Sequence, residues 1–134
     1  MHQVIIYTNE RGGVSVCTPS GELPIEAVQA KDCPADSFIV EASSLINNDF
    51  SGAWEQSGGV VTVNMDKAKA LTKDRLRAER APLLAAQDVA FQRALETGAD
   101  TSTIVAEKQR LRDVTSLADS ASSLDELRAL RAAA

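Results

Sequence analysis

A chain of 134 residues with 44% hydrophobic content holds one compact domain or two small units, which leaves no room for a large buried active-site cleft. Its formal net charge of -5 weighs against a general nucleic-acid binder, and no apolar run approaches the roughly 20 residues needed to span a membrane. Two cysteines, Cys17 and Cys33, are too few and too irregularly spaced for a structural zinc site or a disulfide framework, so both are expected to be reduced.

In chain order, Gln3 to Thr8 and Val14 to Thr18 are β-branched runs separated by Asn9-Glu10-Arg11-Gly12-Gly13, a hairpin signal in which glycine supplies positive φ. Pro19 to Pro24 reads as a loop. Ile25, Val28 and Gln29 allow one or two helical turns, which must end before Pro34 because the residue preceding proline is pushed out of the α region. Ser37 to Glu41 predicts a third strand. Ala53 to Gln56 and Val60 to Asn64 predict a second hairpin turning on Ser57-Gly58-Gly59, with Phe38, Phe50 and Trp54 as the bulky core groups.

The period changes at Asp66, whose side chain is placed to cap a helix running from Lys67 to Thr97. Leu76, Leu83 and Ala90 recur at heptad spacing, with Leu84 and Phe91 on an adjoining row, so the helix carries one apolar stripe. Pro82 removes an amide donor, which predicts a kink or break near Arg80 and Ala81. Gly98 ends the segment, and Asp100 or Thr101 opens a second one whose Ile104, Leu111, Val114 and Leu117 face the first stripe in an antiparallel hairpin. Ser123-Leu124-Asp125-Glu126 fits a capping box for a short last helix ending in Ala132-Ala133-Ala134.

The expected fold is α+β: a small N-terminal antiparallel β-rich domain over residues 1–65, followed over 66–134 by a helical hairpin with a short last helix. The acids are uneven. Up to Met65 there are Glu10, Glu22, Glu26, Asp32, Asp36, Glu41, Asp49 and Glu55 against only Arg11 and Lys31, whereas acids and bases nearly balance beyond it. Such asymmetry favours head-to-tail or partner contacts, over a range that salt limits to about 10 Å.

No residue pattern specifies catalysis. Asp32, Cys33 and Asp36 straddle a Cys-Pro turn and match no metal-ligand spacing. His2 is the only histidine and lies at a terminus; neither Ser43-Ser44 nor Cys17 has a histidine to activate it, and nothing in the spacing sets up a carboxylate pair. Lys69, Lys73, Arg77 and Arg80 share one helical face, but Asp74 and Glu79 interleave and no aromatic group is available there for stacking. A solvated or partner-facing surface is the better reading of that stripe. The Leu76, Leu83, Leu84 and Phe91 stripe reads as internal core before binding groove or coiled-coil seam.

Arg80-x-x-Leu83-Leu84-x-x-x-Asp88, a spacer, then Gln109-x-Leu111-Arg112-Asp113 resembles the C-terminal module of phage tail-assembly chaperones, over roughly residues 76–114. Phe50-Ser51-Gly52-Ala53-Trp54 followed by Val61 to Ala68 is similar to the segment preceding that module in small phage tail-region proteins. The family pattern usually places tryptophan directly after the aspartate, then a proline-bearing acidic stretch; here Val89 and Phe91 follow Asp88. The resemblance implies a non-enzymatic assembly protein with a phage tail or tail-fibre protein as partner, acting in the host cytoplasm during assembly. It implies no cofactor, metal or small-molecule substrate, and it is compatible with a homo-oligomer. The alternative is a permanent component of the virion tail tip, baseplate or fibre, and a DNA-binding regulator stands third. The residues assigned to partner binding are Leu76, Arg80, Leu83, Leu84, Asp88, Phe91, Leu111, Arg112 and Asp113, whose leucines can form a hairpin core while the charged groups make crossing ion pairs or helix-end contacts.

Overall fold

The computed structural model describes residues 2–133 and has α+β architecture, with antiparallel strands preceding helices. It divides into two compact units, Met1–Ala68 and Lys69–Ala134.

The first unit opens with β1 (Gln3–Thr8) and β2 (Val14–Cys17), joined by a turn that Asn9 organises. The Asn9 carboxamide oxygen accepts from the Arg11 and Gly13 amides at 3.0 Å each, and its Nδ2 donates to Ser15 Oγ at 3.1 Å. The turn therefore holds its own polar groups, and Gly12 supplies the positive φ of 80°. Helix α1 (Ile25–Asp32) then leads to β3 (Phe38–Glu41), which pairs with the other side of β1 to give the antiparallel order β2-β1-β3. No residue of α1 is fully buried. The loop after it is fixed instead by Gln29, whose Nε2 donates to the Ser37 carbonyl at 2.9 Å and to Ser37 Oγ at 3.1 Å.

Two short 3-10 segments, Ala42–Ser44 and Asn48–Ala53, lead to the second hairpin, β4 (Trp54–Ser57) and β5 (Val60–Val63). Period-two alternation sends Val4 and Ile6 to one face of β1, where they pack with Trp54 and Val61, and Phe38 and Val40 flank them. Trp54 keeps its polar handle satisfied by donating from Nε1 to the Ile46 carbonyl at 3.0 Å. Ile5 points the other way and is also fully buried, with α1 packed against β1.

Helix α2 (Met65–Thr97) begins one residue before its sequence signal. Asn64, and not Asp66, is the cap: its Oδ1 accepts from the Lys67 amide at 3.0 Å, the reach from the residue preceding a helix to its third amide. Pro82 does not divide the helix, which continues unbroken over 33 residues. Both Pro82 and Ala78, the residue whose carbonyl loses its donor, are solvent-exposed, so water can take the freed oxygen. The end at Gly98 is a Schellman motif, with φ of 71° at Gly98, Ala99 N–H donating to the Ala94 carbonyl at 2.8 Å and Gly98 N–H to the Leu95 carbonyl at 3.3 Å.

Asp100 then starts α3 (Ser102–Asp113) by accepting from the Ser102 amide at 3.0 Å and its hydroxyl at 2.9 Å. A 3-10 segment, Val114–Ala118, and α4 (Leu124–Ala129) follow. Ser123 Oγ caps α4 through the Glu126 amide, but the Glu126 carboxylate returns to the Ser122 amide and hydroxyl at 2.6 and 3.0 Å, so the capping box is displaced by one residue. The last helix stops at Ala129 and not in the terminal alanines. Leu130 is extended, and Ala132 enters a core with Leu76, Leu111 and Val114, flanked by Leu83, Leu84 and Leu130. Leu117, expected on the inner face, is 47% exposed because the 3-10 geometry turns Ala118 inward instead. Ala134 lies outside the described residues.

Candidate functional site

The motif residues assigned to partner binding converge on the α2/α3 hairpin of the second unit, in two layers. Leu76 and Leu111 are fully buried and serve the interior, so neither is available for direct contact, while Leu83 and Leu84 are half-buried against them. The charged members lie around this core. Arg80 donates from Nη1 to the carbonyls of Arg112 at 2.9 Å and Leu111 at 3.4 Å, closing the end of α3 where unpaired carbonyls and the helix dipole favour a cation.

Asp88 crosses the hairpin to Lys108 at 2.7 Å, and the same ammonium sits 5.1 Å from the centroid of the Phe91 ring. The lysine is the sheltered partner, with its side chain 16% exposed against 63% for the carboxylate. Asp113 stays within α3, accepting from Gln109 Nε2 at 3.0 and 3.1 Å one turn earlier, and Arg112 is exposed. Arg80 and Asp88 thus make the anticipated helix-end and crossing contacts, whereas Asp113 and the Arg112 side chain contribute no crossing pair. Lys108 was absent from the sequence assignment; its place four residues before Arg112 puts it on a neighbouring part of the same face, the one signal that could have marked it.

A second polar cluster holds the C-terminal segment. Glu79 accepts from the Ala132 amide at 3.0 Å and pairs with Arg75 at 2.6 Å, and Arg75 donates onward to the Leu127 carbonyl at 2.9 Å. Arg110 takes the Ala132 carbonyl at 2.9 Å while pairing with Glu107 at 2.6 Å. The hydrogen bond from Ala132, and then Arg75, hold the Glu79 carboxyl below its ordinary range against partial desolvation. The Arg110 hydrogen bond does the same for Glu107. Arg75/Glu79 and Glu107/Arg110 are one-turn spacings within their helices; the partners at Leu127 and Ala132 arise from the path of the chain through and beyond α4.

The basic stripe is largely spent on the fold. Lys73 pairs with Asp119 at 2.6 Å, Lys69 donates to the Asp119 carbonyl at 3.1 Å, Arg77 pairs with Asp74 at 2.8 Å, and Arg80 closes α3. Three larger apolar side chains of the hairpin remain about half-exposed: Val89 (50%) and Leu95 (55%) on α2, and Val105 (49%) on α3. In the first unit, Tyr7, Thr8, Asn9, Glu10, Arg11, Ser15 and Pro34 line an open depression. Among the described residues no three His, Cys, Asp or Glu side chains gather as a metal site, and no helix is long and apolar enough to cross a membrane. Set against family models, curated proteins and solved structures, the chain matches none of them.

Proposed function

We propose that this chain is a non-enzymatic phage tail or tail-fibre assembly protein that binds an unassembled tail or fibre protein in the host cytoplasm. The observation that carries the reading is the way the motif residues are used: Leu83, Leu84 and Leu111 build a hairpin while Arg80 and Asp88 tie its two helices together. Residues that resemble the tail-assembly module therefore have an architectural job, as expected of a binding scaffold. Val89, Leu95 and Val105 offer apolar area on that scaffold for a transient partner, although single exposed side chains bind only as part of a larger contact.

The test is quantitative mass spectrometry of purified particles and of the lysate of the encoding phage. Abundance in lysate with absence from particles supports the assembly role. A fixed copy number per particle replaces it with a permanent component of the tail tip, baseplate or fibre, and absence of any phage context removes the reading. A companion variant, Leu95→Gln with Val105→Gln, alters half-exposed positions without adding charge and should leave melting nearly unchanged while lowering co-purification of the tail protein. Retained capture would exclude this surface.

A further inference from the structure

The two cysteines, sixteen positions apart in sequence, are brought to one face of the first unit. Cys17 ends β2 and stands directly opposite Ile5 in the β1/β2 register. Opposed residues of an antiparallel pair project to the same face. Because Val4 and Ile6 face the Trp54 core, Ile5 and Cys17 project to the other side, where α1 packs against β1.

Cys33 is the residue that ends α1, its amide donating to the Gln29 carbonyl at 3.2 Å. Its neighbour Pro34 shares a depression with Tyr7 and Ser15, and Ser15 lies two residues before Cys17 on the same side of β2. Strand register and loop placement thus bring Cys33 over the strand that carries Cys17. Both side chains are half-buried free thiols, neither sealed in a core nor fully exposed.

We propose that Cys17 and Cys33 form a reversible intramolecular disulfide, made by exchange with a low-molecular-weight disulfide, that pins α1 to the three-stranded sheet. The thiolate of one cysteine attacks a sulfur of the small disulfide, whose S–S bond breaks, and one small thiol departs. The second cysteine loses its proton to solvent, attacks the mixed disulfide and expels the other small thiol. Two protein thiols are oxidised by two electrons, and one small disulfide is reduced to two thiols.

Burial, then the hydrogen bond and field of Cys17, then Asp32, push the Cys33 thiol up, in keeping with the two sulfurs being neighbours. The helix being pinned has no fully buried residue, so the cross-link adds a restraint where packing is thinnest.

The experiment equilibrates the full chain in mixtures of reduced and oxidised glutathione, quenches with acid, blocks residual thiols with N-ethylmaleimide and maps peptides without reduction. The expected product is the peptide of Cys17 linked to that of Cys33 within one chain, in a fraction independent of protein concentration and reversed by excess reduced glutathione. A cross-link closing a loop of about 15 residues should raise the folded-to-unfolded ratio roughly 100-fold, read as a higher urea midpoint of the oxidised protein. Cys33→Ser should stop at a single glutathione adduct with no midpoint rise, while far-UV circular dichroism reports that it is folded. Unresolved adducts on both cysteines of the unaltered chain, linkage only between chains, or an intramolecular link that lowers the midpoint would each overturn the proposal.

Discussion

Glu79 closes the helical unit by holding the Ala132 amide and Arg75 at once, and its depressed titration makes that closure sensitive to acid. A carboxyl whose folded-state pKa lies below its unfolded value contributes stability that is present above the unfolded value and is lost as pH falls through the folded one. Glu79→Gln should therefore be less stable than the unaltered chain at pH 7, and the gap should narrow as pH drops below the ordinary carboxylate range of about 4.3. Urea midpoints of both proteins at pH 7 and pH 3 read this directly; a gap independent of pH would assign the effect to shape instead of charge. Leu111 makes a contrasting, pH-independent contribution. It is fully buried among Leu76, Val114 and Ala132, so Leu111→Ala should cost about 2–5 kcal/mol through lost transfer energy and the cavity left behind. Equilibrium denaturation gives the value, and a loss below about 1 kcal/mol would mean that the core collapses around the site.

At the scale of elements, two glycines of positive φ have unlike surroundings. A Cβ at Gly98 would meet nothing within 4 Å, so Gly98→Ala should cost only the left-handed backbone penalty of about 1 kcal/mol. At Gly59 the Cβ would come within 3.3 Å of the Phe38 side chain, and Gly59→Ala should be the more damaging in paired thermal melts. Pro82 sits inside α2 at an exposed position, so Pro82→Ala restores a donor and should raise the melting temperature, by up to about 3 kcal/mol of added stability. A lower melting temperature would show that the ring contributes packing. These cases also show what local pattern can and cannot specify. The hairpin at Asn9–Gly13, the stop at Gly98 and the strand periods depend on neighbours a few residues away and were readable. The continuity of α2 through Pro82 was not, because it depends on the contacts and solvent exposure of the whole helix.

Across the whole molecule, the division between strands and helices followed from the change of period near Asp66, while the long-range polar contacts did not. Asp88 and Arg80 were legible as charged members of a hairpin, but Lys108, Arg110 and the carbonyls they or Arg80 engage become partners only once the helices lie side by side. The same contacts bear on the basic stripe, since Lys73, Arg77 and Arg80 would each have to exchange a present partner for a phosphate. Duplex DNA should therefore show no salt-sensitive retardation with this protein. A binding constant falling steeply between about 50 and 200 mM salt would instead favour the regulator. The burial of Ala132 between Glu79 and Arg110 has a further consequence, in time rather than in energy. During synthesis the strand-bearing unit can gather as soon as its own residues emerge, but the helical unit lacks a wall of its core until Ala132 has left the ribosome, so the α2/α3 hairpin must wait with that core open after its own residues have been made.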